Sequence, residues 1–110
     1  MPAARITFLP EAKAVKLHPQ LFRAILVAAE VWGERGLQEL VVTRLNDGGH
    51  RVGSLHGKGE AADIRTHTLP NGLEESYRAA LDVRLGAGFD VVLEDVGELN
   101  EHLHLEYDPK

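Results

Sequence analysis

The sequence predicts one α+β domain spanning residues 1–110, a small antiparallel sheet with two main helices. Three observations carry that expectation. A length of 110 residues suits a single hydrophobic core and is too short for two. With 44% apolar and 26% charged residues, the chain has the balance of a folded protein, neither disordered nor fibrous. Two stretches carry apolar residues at helical spacing, and roughly four short strand-like runs lie mostly late in the chain.

Taken in order, the first element is a helix with Leu21, Phe22, Ile25, Leu26, Ala29 and Trp32 as its apolar stripe. Pro19 suits a first helical position, and Gly33 or Gly36 can end it. Leu40-Val41-Val42-Thr43 is a β-branched run of strand type, and Asn46-Asp47-Gly48-Gly49 is a strong turn signal. Residues 50–59 are rich in glycine and hold two histidines, after which Ala61-Ala62-Asp63-Ile64-Arg65 reads as a short buried strand. Asn71 is placed to cap a second helix with Glu74 three residues on, and its stripe is Leu73, Tyr77, Leu81 and Leu85 before Gly86 and Gly88. Residues 89–93 form a strand candidate, residues 94–101 an acidic loop, and residues 102–107 a final strand.

Composition narrows the chemistry. A net charge of −5, with lysine and arginine scattered, lacks the basic stripe of a nucleic-acid binder. No run is long and apolar enough to cross a bilayer, and residues 1–5 lead into no signal-peptide core, so no membrane insertion and no general secretory export are expected. Without cysteine, a metal has to be held by nitrogen and oxygen. Five of the six histidines follow residue 49, which directs attention to the second half.

On the final strand, side chains alternate faces, so His102, His104 and Glu106 share one face and Leu103, Leu105 and Tyr107 the other. Packing the apolar face on a core points two imidazoles and a carboxylate together into a cleft or solvent; an exposed polar face of an antiparallel strand is the plainer alternative. In the segment Ser54-Leu55-His56-Gly57-Lys58-Gly59-Glu60-Ala61-Ala62-Asp63, small residues leave room for His56 and Asp63 to converge on one ion, although Asp63 also fits a buried turn or cap. Together the two segments offer two imidazoles and one carboxylate, the ligand set of a catalytic Zn2+ with a position left for water. Such an ion lowers the pKa of its water and polarises a carbonyl, and Glu101 or His102 is placed to take the proton.

The run S-x-H-x-x-G-x-A-x-D from Ser54 to Asp63, followed by His102-x-His104, resembles the zinc D-alanyl-D-alanine carboxypeptidases and related endolysins of the M15 peptidase family, whose domain is shared with hedgehog signalling domains. Asp47-Gly48-Gly49-His50, Asp63-Ile64-Arg65-Thr66 and His104-Leu105-Glu106-Tyr107-Asp108-Pro109 look like the short phage and prophage members, including L-alanyl-D-glutamate endopeptidases. The likeness covers roughly residues 40–110.

This resemblance implies His56, Asp63 and His104 as zinc ligands and Glu101, three residues before the last of them, as the base, with His102 and Glu98 as other candidates. It implies a substrate-steadying arginine at Arg44 or Arg51, a supporting role for Ser54 and a site-side position for His50. His18 and His67 match nothing in the pattern and read as surface residues. Gly57 stands where relatives often carry an aromatic residue, and residues 94–100 form a slightly longer loop than usual. The implied activity is hydrolysis of amide bonds in the peptide stem of bacterial peptidoglycan, by an enzyme cytoplasmic until released or associated with a phage virion. A non-catalytic zinc-binding or structural phage module of the same fold is the alternative. A two-histidine, one-carboxylate set also occurs in non-haem iron oxygenases, but their first histidine and carboxylate usually lie one residue apart, unlike His56 and Asp63.

Overall fold

The computed structural model describes residues 2–10, 12, 17–46 and 61–109. They form an α+β fold: a five-stranded mixed sheet and two helices, in the order β1 (Arg5–Phe8), α1 (Pro19–Glu34), β2 (Glu39–Asn46), β3 (Ala61–Arg65), α2 (Glu74–Leu85), β4 (Phe89–Glu94) and β5 (His102–Tyr107). Strand order across the sheet is β1-β2-β3-β5-β4.

The expectation of an antiparallel sheet is corrected at one edge. β1 pairs parallel with β2, Ile6 against Leu40, because α1 carries the chain back across the sheet before β2 begins. β1 was illegible because it is four residues long and half exposed, leaving no alternation to read. The remaining pairs are antiparallel.

Helix α1 starts with Pro19 at its first turn, and His18 caps it, its Nδ1 accepting the Gln20 N–H at 3.1 Å. His18 is thus a half-buried capping residue whose ring lies 4.8 Å from that of Tyr107, and not the plain surface residue its sequence context suggests. At the other end Gly36, at φ +91°, gives its N–H to Gly33 C=O while Leu37 N–H reaches Trp32 C=O, closing a left-handed cap. The buried stripe is Leu21, Ala24, Ile25, Ala28 and Trp32. Phe22 and Leu26, expected in it, are 46% and 44% exposed. Alanines at 24 and 28 take the face toward the sheet, since small side chains let helix and sheet approach closely.

Gly33 has a packing reason. A Cβ there would stand 2.1 Å from the Pro2 carbonyl oxygen, where the N-terminal segment crosses α1 and Ala4 N–H bonds Ala29 C=O at 2.9 Å. Replacing glycine by alanine inside a helix gains up to ~1 kcal/mol of propensity, whereas overpacking against backbone costs about 1–3 kcal/mol, and packing should win. Gly33→Ala is therefore expected to lower the urea midpoint with an unchanged slope; a raised midpoint would show that the N-terminal segment simply moves aside.

Helix α2 is not capped by Asn71. Asn71 and Gly72 instead sit inside a turn closed by Leu73 N–H to Pro70 C=O at 3.0 Å, with Gly72 at φ +86°, so the helix begins after Leu73 without a side-chain cap. Glu74 and Glu75 in its first turn and Arg84 in its last complement the helix dipole. Tyr77 and Leu81 face inward, and the Tyr77 ring meets Trp32 edge-on at 5.2 Å, joining the helices.

Both helices lie on the sheet face that carries Leu40, Val42, Ala62, Ile64, Val91, Leu103 and Leu105. A one-residue bulge between Val42 and Arg44 resets the alternation of β2, so that Val42 and Leu45 both enter the core while Arg44 becomes the register partner of Asp63. The opposite face carries Asp63, His102, His104 and Glu106, and it holds the site.

Candidate metal centre

Asp63 on β3 and His104 on β5 are direct register partners, with Val92 of β4 beyond them. One pair further along lie Arg65, His102 and Glu94, and in the other direction Ala61, Glu106 and Asp90. Leu103, between the histidines, and Leu105, just after His104, are fully buried, so the predicted alternation on β5 holds. That packing fixes both imidazoles on the side away from the helices.

His104 Nδ1 lies 3.0 Å from Asp63 Oδ1, and its Nε2 lies 2.9 Å from Glu106 Oε1. His102 Nε2 is 3.6 Å from the same Asp63 oxygen and 2.8 Å from Glu94 Oε1, while its Nδ1 is 2.9 Å from Asn100 C=O. The three side chains are each about one-fifth exposed, open enough to be reached and shielded enough to interact strongly. Among the described residues, Asp63, His102 and His104 each offer a donor atom within 4.8 Å of the others, a set able to hold a metal ion. Nitrogen and oxygen donors of this kind suit zinc and its first-row neighbours.

Electrostatics follow from the carboxylates. The hydrogen bond to Asp63 outweighs burial and, with Glu106, lifts His104 from an ordinary 6.5 to about 9. Burial pulls His102 down, but the Asn100 carbonyl and the charges of Asp63 and Glu94 outweigh it, and the net shift is upward. A raised histidine pKa stabilises the fold below the unfolded value and loses that contribution as pH climbs through the folded one. The metal-free chain should therefore lose on the order of 2 kcal/mol between about pH 6.5 and 9. Urea melts in the presence of a chelator check this; flat stability across that window would mean that His104 is not held as a cation.

The remaining predicted site residues fall into two groups. Arg44 is exposed beside Asp63 in the register, and Thr43 Oγ1 donates to the Asp63 carbonyl at 3.3 Å. Glu101 precedes β5, and its carboxylate is engaged away from the histidines: Oε1 accepts from the buried Thr66 hydroxyl at 2.6 Å and Oε2 from Gly97 N–H at 2.9 Å. The Thr66 bond, then the Gly97 bond, hold its pKa below the usual carboxylate value. Glu98 lies exposed in the same loop, its N–H bonded to Asp95 C=O, and His67 is exposed with Nε2 2.8 Å from Leu99 C=O. His50, Arg51, Ser54 and His56 lie outside the described residues, as do Asp47, Gly48 and Gly49 of the expected turn.

Sequence reasoning did not single out Glu94 or Thr66. Glu94 meets His102 across a strand pair whose register no local pattern reveals, and Thr66 acts through tertiary contact with a loop 35 residues away. No family model, curated protein or solved structure matches the chain. Among the described residues no helix is long and apolar enough to cross a membrane.

Proposed function

We propose that the chain is a zinc-dependent peptidase of the hedgehog/DD-peptidase type that hydrolyses amide bonds in the peptidoglycan stem peptide, as a D-Ala-D-Ala carboxypeptidase or an endolysin-type endopeptidase. The observation that carries it is the direct pairing of Asp63 with His104, two of the three ligands implied by the S-x-H-x-x-G-x-A-x-D run and the later histidine pair. The donor chemistry fits: two imidazoles and a carboxylate, no thiolate, with Glu106 on the far nitrogen of His104 as the outer partner that orients a ligating ring. In this reading His56, Asp63 and His104 hold the ion. When bound, zinc supplies a Lewis acid and a water acidic enough to act at neutral pH.

The chain's own groups do the rest. Glu101, kept ionised by Thr66 and Gly97, accepts the proton of the attacking water and delivers it to the leaving amine. Arg44, on the same face as Asp63, or Arg51 holds a carboxylate or the developing oxyanion of the substrate. The sheet face that carries Asp63 and His104 binds the peptide.

The engaged carboxylate of Glu101 is also the observation favouring a second reading, a non-catalytic zinc-binding or structural phage module, because a base must be free to reach the water. Glu101→Gln separates the two. A peptidase should lose about 10²–10⁴-fold in fragment release from purified walls or synthetic stem peptides while keeping its zinc. Absence of cleavage by the zinc-loaded wild type, across several wall chemistries, sinks the peptidase reading.

A further inference from the structure

We infer that His102 is itself a metal ligand, so that Asp63, His102 and His104 form a cation site carried by the sheet, one that still holds an ion when His56 is removed. The inference shares with the proposed function a metal at Asp63 and His104, and departs from it in giving His102 a bond to the ion in place of a proton-transfer role.

Distances come first. Two donors each 2.0–2.1 Å from a tetrahedral zinc stand roughly 3.3 Å apart. Asp63 Oδ1 lies 3.0 Å from His104 Nδ1 and 3.6 Å from His102 Nε2, on either side of that figure.

Orientation is the second, independent observation. A ligating imidazole commonly turns one nitrogen to the metal and gives its other N–H to a carbonyl or carboxylate. Both rings do this toward one point. His104 turns Nδ1 to Asp63 and Nε2 to Glu106, while His102 gives Nδ1 to the Asn100 carbonyl and holds Nε2 between Glu94, at 2.8 Å, and Asp63, at 3.6 Å. The Asn100 carbonyl accepts only, so Nδ1 carries a proton and Nε2 is the nitrogen a cation takes once its own proton has left. Glu94, also on Nε2 at 2.8 Å, is nearly half exposed on an edge strand, and an ion on Nε2 has to displace it towards solvent.

Rigidity is the third. His102 and His104 flank Leu103, buried completely, and Asp63 sits between Ala62 and Ile64, buried almost completely. All three donors project from packed strands, so the site exists before the ion does and little ordering opposes binding.

The test measures metal directly. Zinc affinity, by competition with a chromophoric chelator, and the visible absorption of the cobalt-substituted protein are compared for wild type, His56→Ala, His102→Ala and His102→Gln, with circular dichroism as the folding control. Wild type and His56→Ala should each hold about one ion per chain, the latter more weakly. Both His102 variants should lose at least tenfold in affinity and show an altered cobalt spectrum, whereas Gln in a merely hydrogen-bonding role would preserve both. Unchanged affinity and spectrum in folded His102 variants, or complete loss of metal in His56→Ala, overturns the inference. Wall-peptide cleavage by wild type is scored separately: cleavage with a spectrum indifferent to His102 defeats this inference alone, and His102-dependent metal without cleavage defeats the peptidase reading alone.

Discussion

His104→Ala should be the most damaging single change in the proposed site: zinc content should fall from about one per chain to near zero, and hydrolysis of stem peptides by at least about 100-fold. The direction follows from position. His104 faces Asp63 across the β3–β5 pair and Glu106 along its own strand, so its removal takes away both a donor and the imidazole that bridges those two carboxylates. Outer partners of a ligand already cost 10–100-fold when mutated, and loss of the ligand itself should exceed that range. The fold should survive, because His104 lies on the polar face and the core beneath it is Leu103 and Leu105. Circular dichroism and elemental analysis on the same preparation distinguish the cases: a folded variant retaining a full equivalent of zinc would remove His104 from the ligand set.

How much of this was legible in the sequence depends on the range of the interactions involved. The β5 alternation is local: Leu103 and Leu105 must be buried, so His102, His104 and Glu106 must share the other face. Helix α1 announces itself through Pro19 and Gly36, whose backbone preferences act within one turn. Phe22 and Leu26 fall outside the stripe despite their size, because close packing against the sheet selects Ala24 and Ala28. Asn71 resembles a cap until Gly72 draws it into a turn. Register is a different matter. Asp63 and His104 are 41 residues apart, and nothing local states that they align; nor does it state that a bulge in β2 brings Arg44 level with them. The polar composition of the site was readable, therefore, and its wiring was not: Glu94 on His102, Asn100 on the same ring, Thr66 and Gly97 on Glu101 all arise from tertiary contact. The last of these also complicates the sequence-based choice of Glu101 as base, since a carboxylate three residues before the sheet-borne His104 is expected on neither face until the loop before β5 is folded.

On the proposed function, removing zinc should lower the melting temperature more than any surface substitution. A ligand that binds the native chain alone stabilises it by RT ln(1 + [L]/Kd), about 4 kcal/mol when free zinc stands a thousandfold above its Kd. For a domain of this size each kcal/mol moves the midpoint by roughly 4 °C, so a strong chelator should cost about 15 °C. The effect should depend on pH in the opposite sense to the metal-free chain. Without metal, His104 is held as a cation by Asp63 and Glu106, and stability drains away as pH rises through about 9. With metal, the ion replaces that proton, so binding strengthens over the same rise and the gap between zinc-loaded and chelated melts should widen from pH 6 to 8. Scanning both forms at several pH values tests the whole arrangement in one series. Coincident melts with and without chelator at every pH would mean that the polar face of β3 and β5 is a network of hydrogen bonds between histidines and carboxylates, complete without an ion.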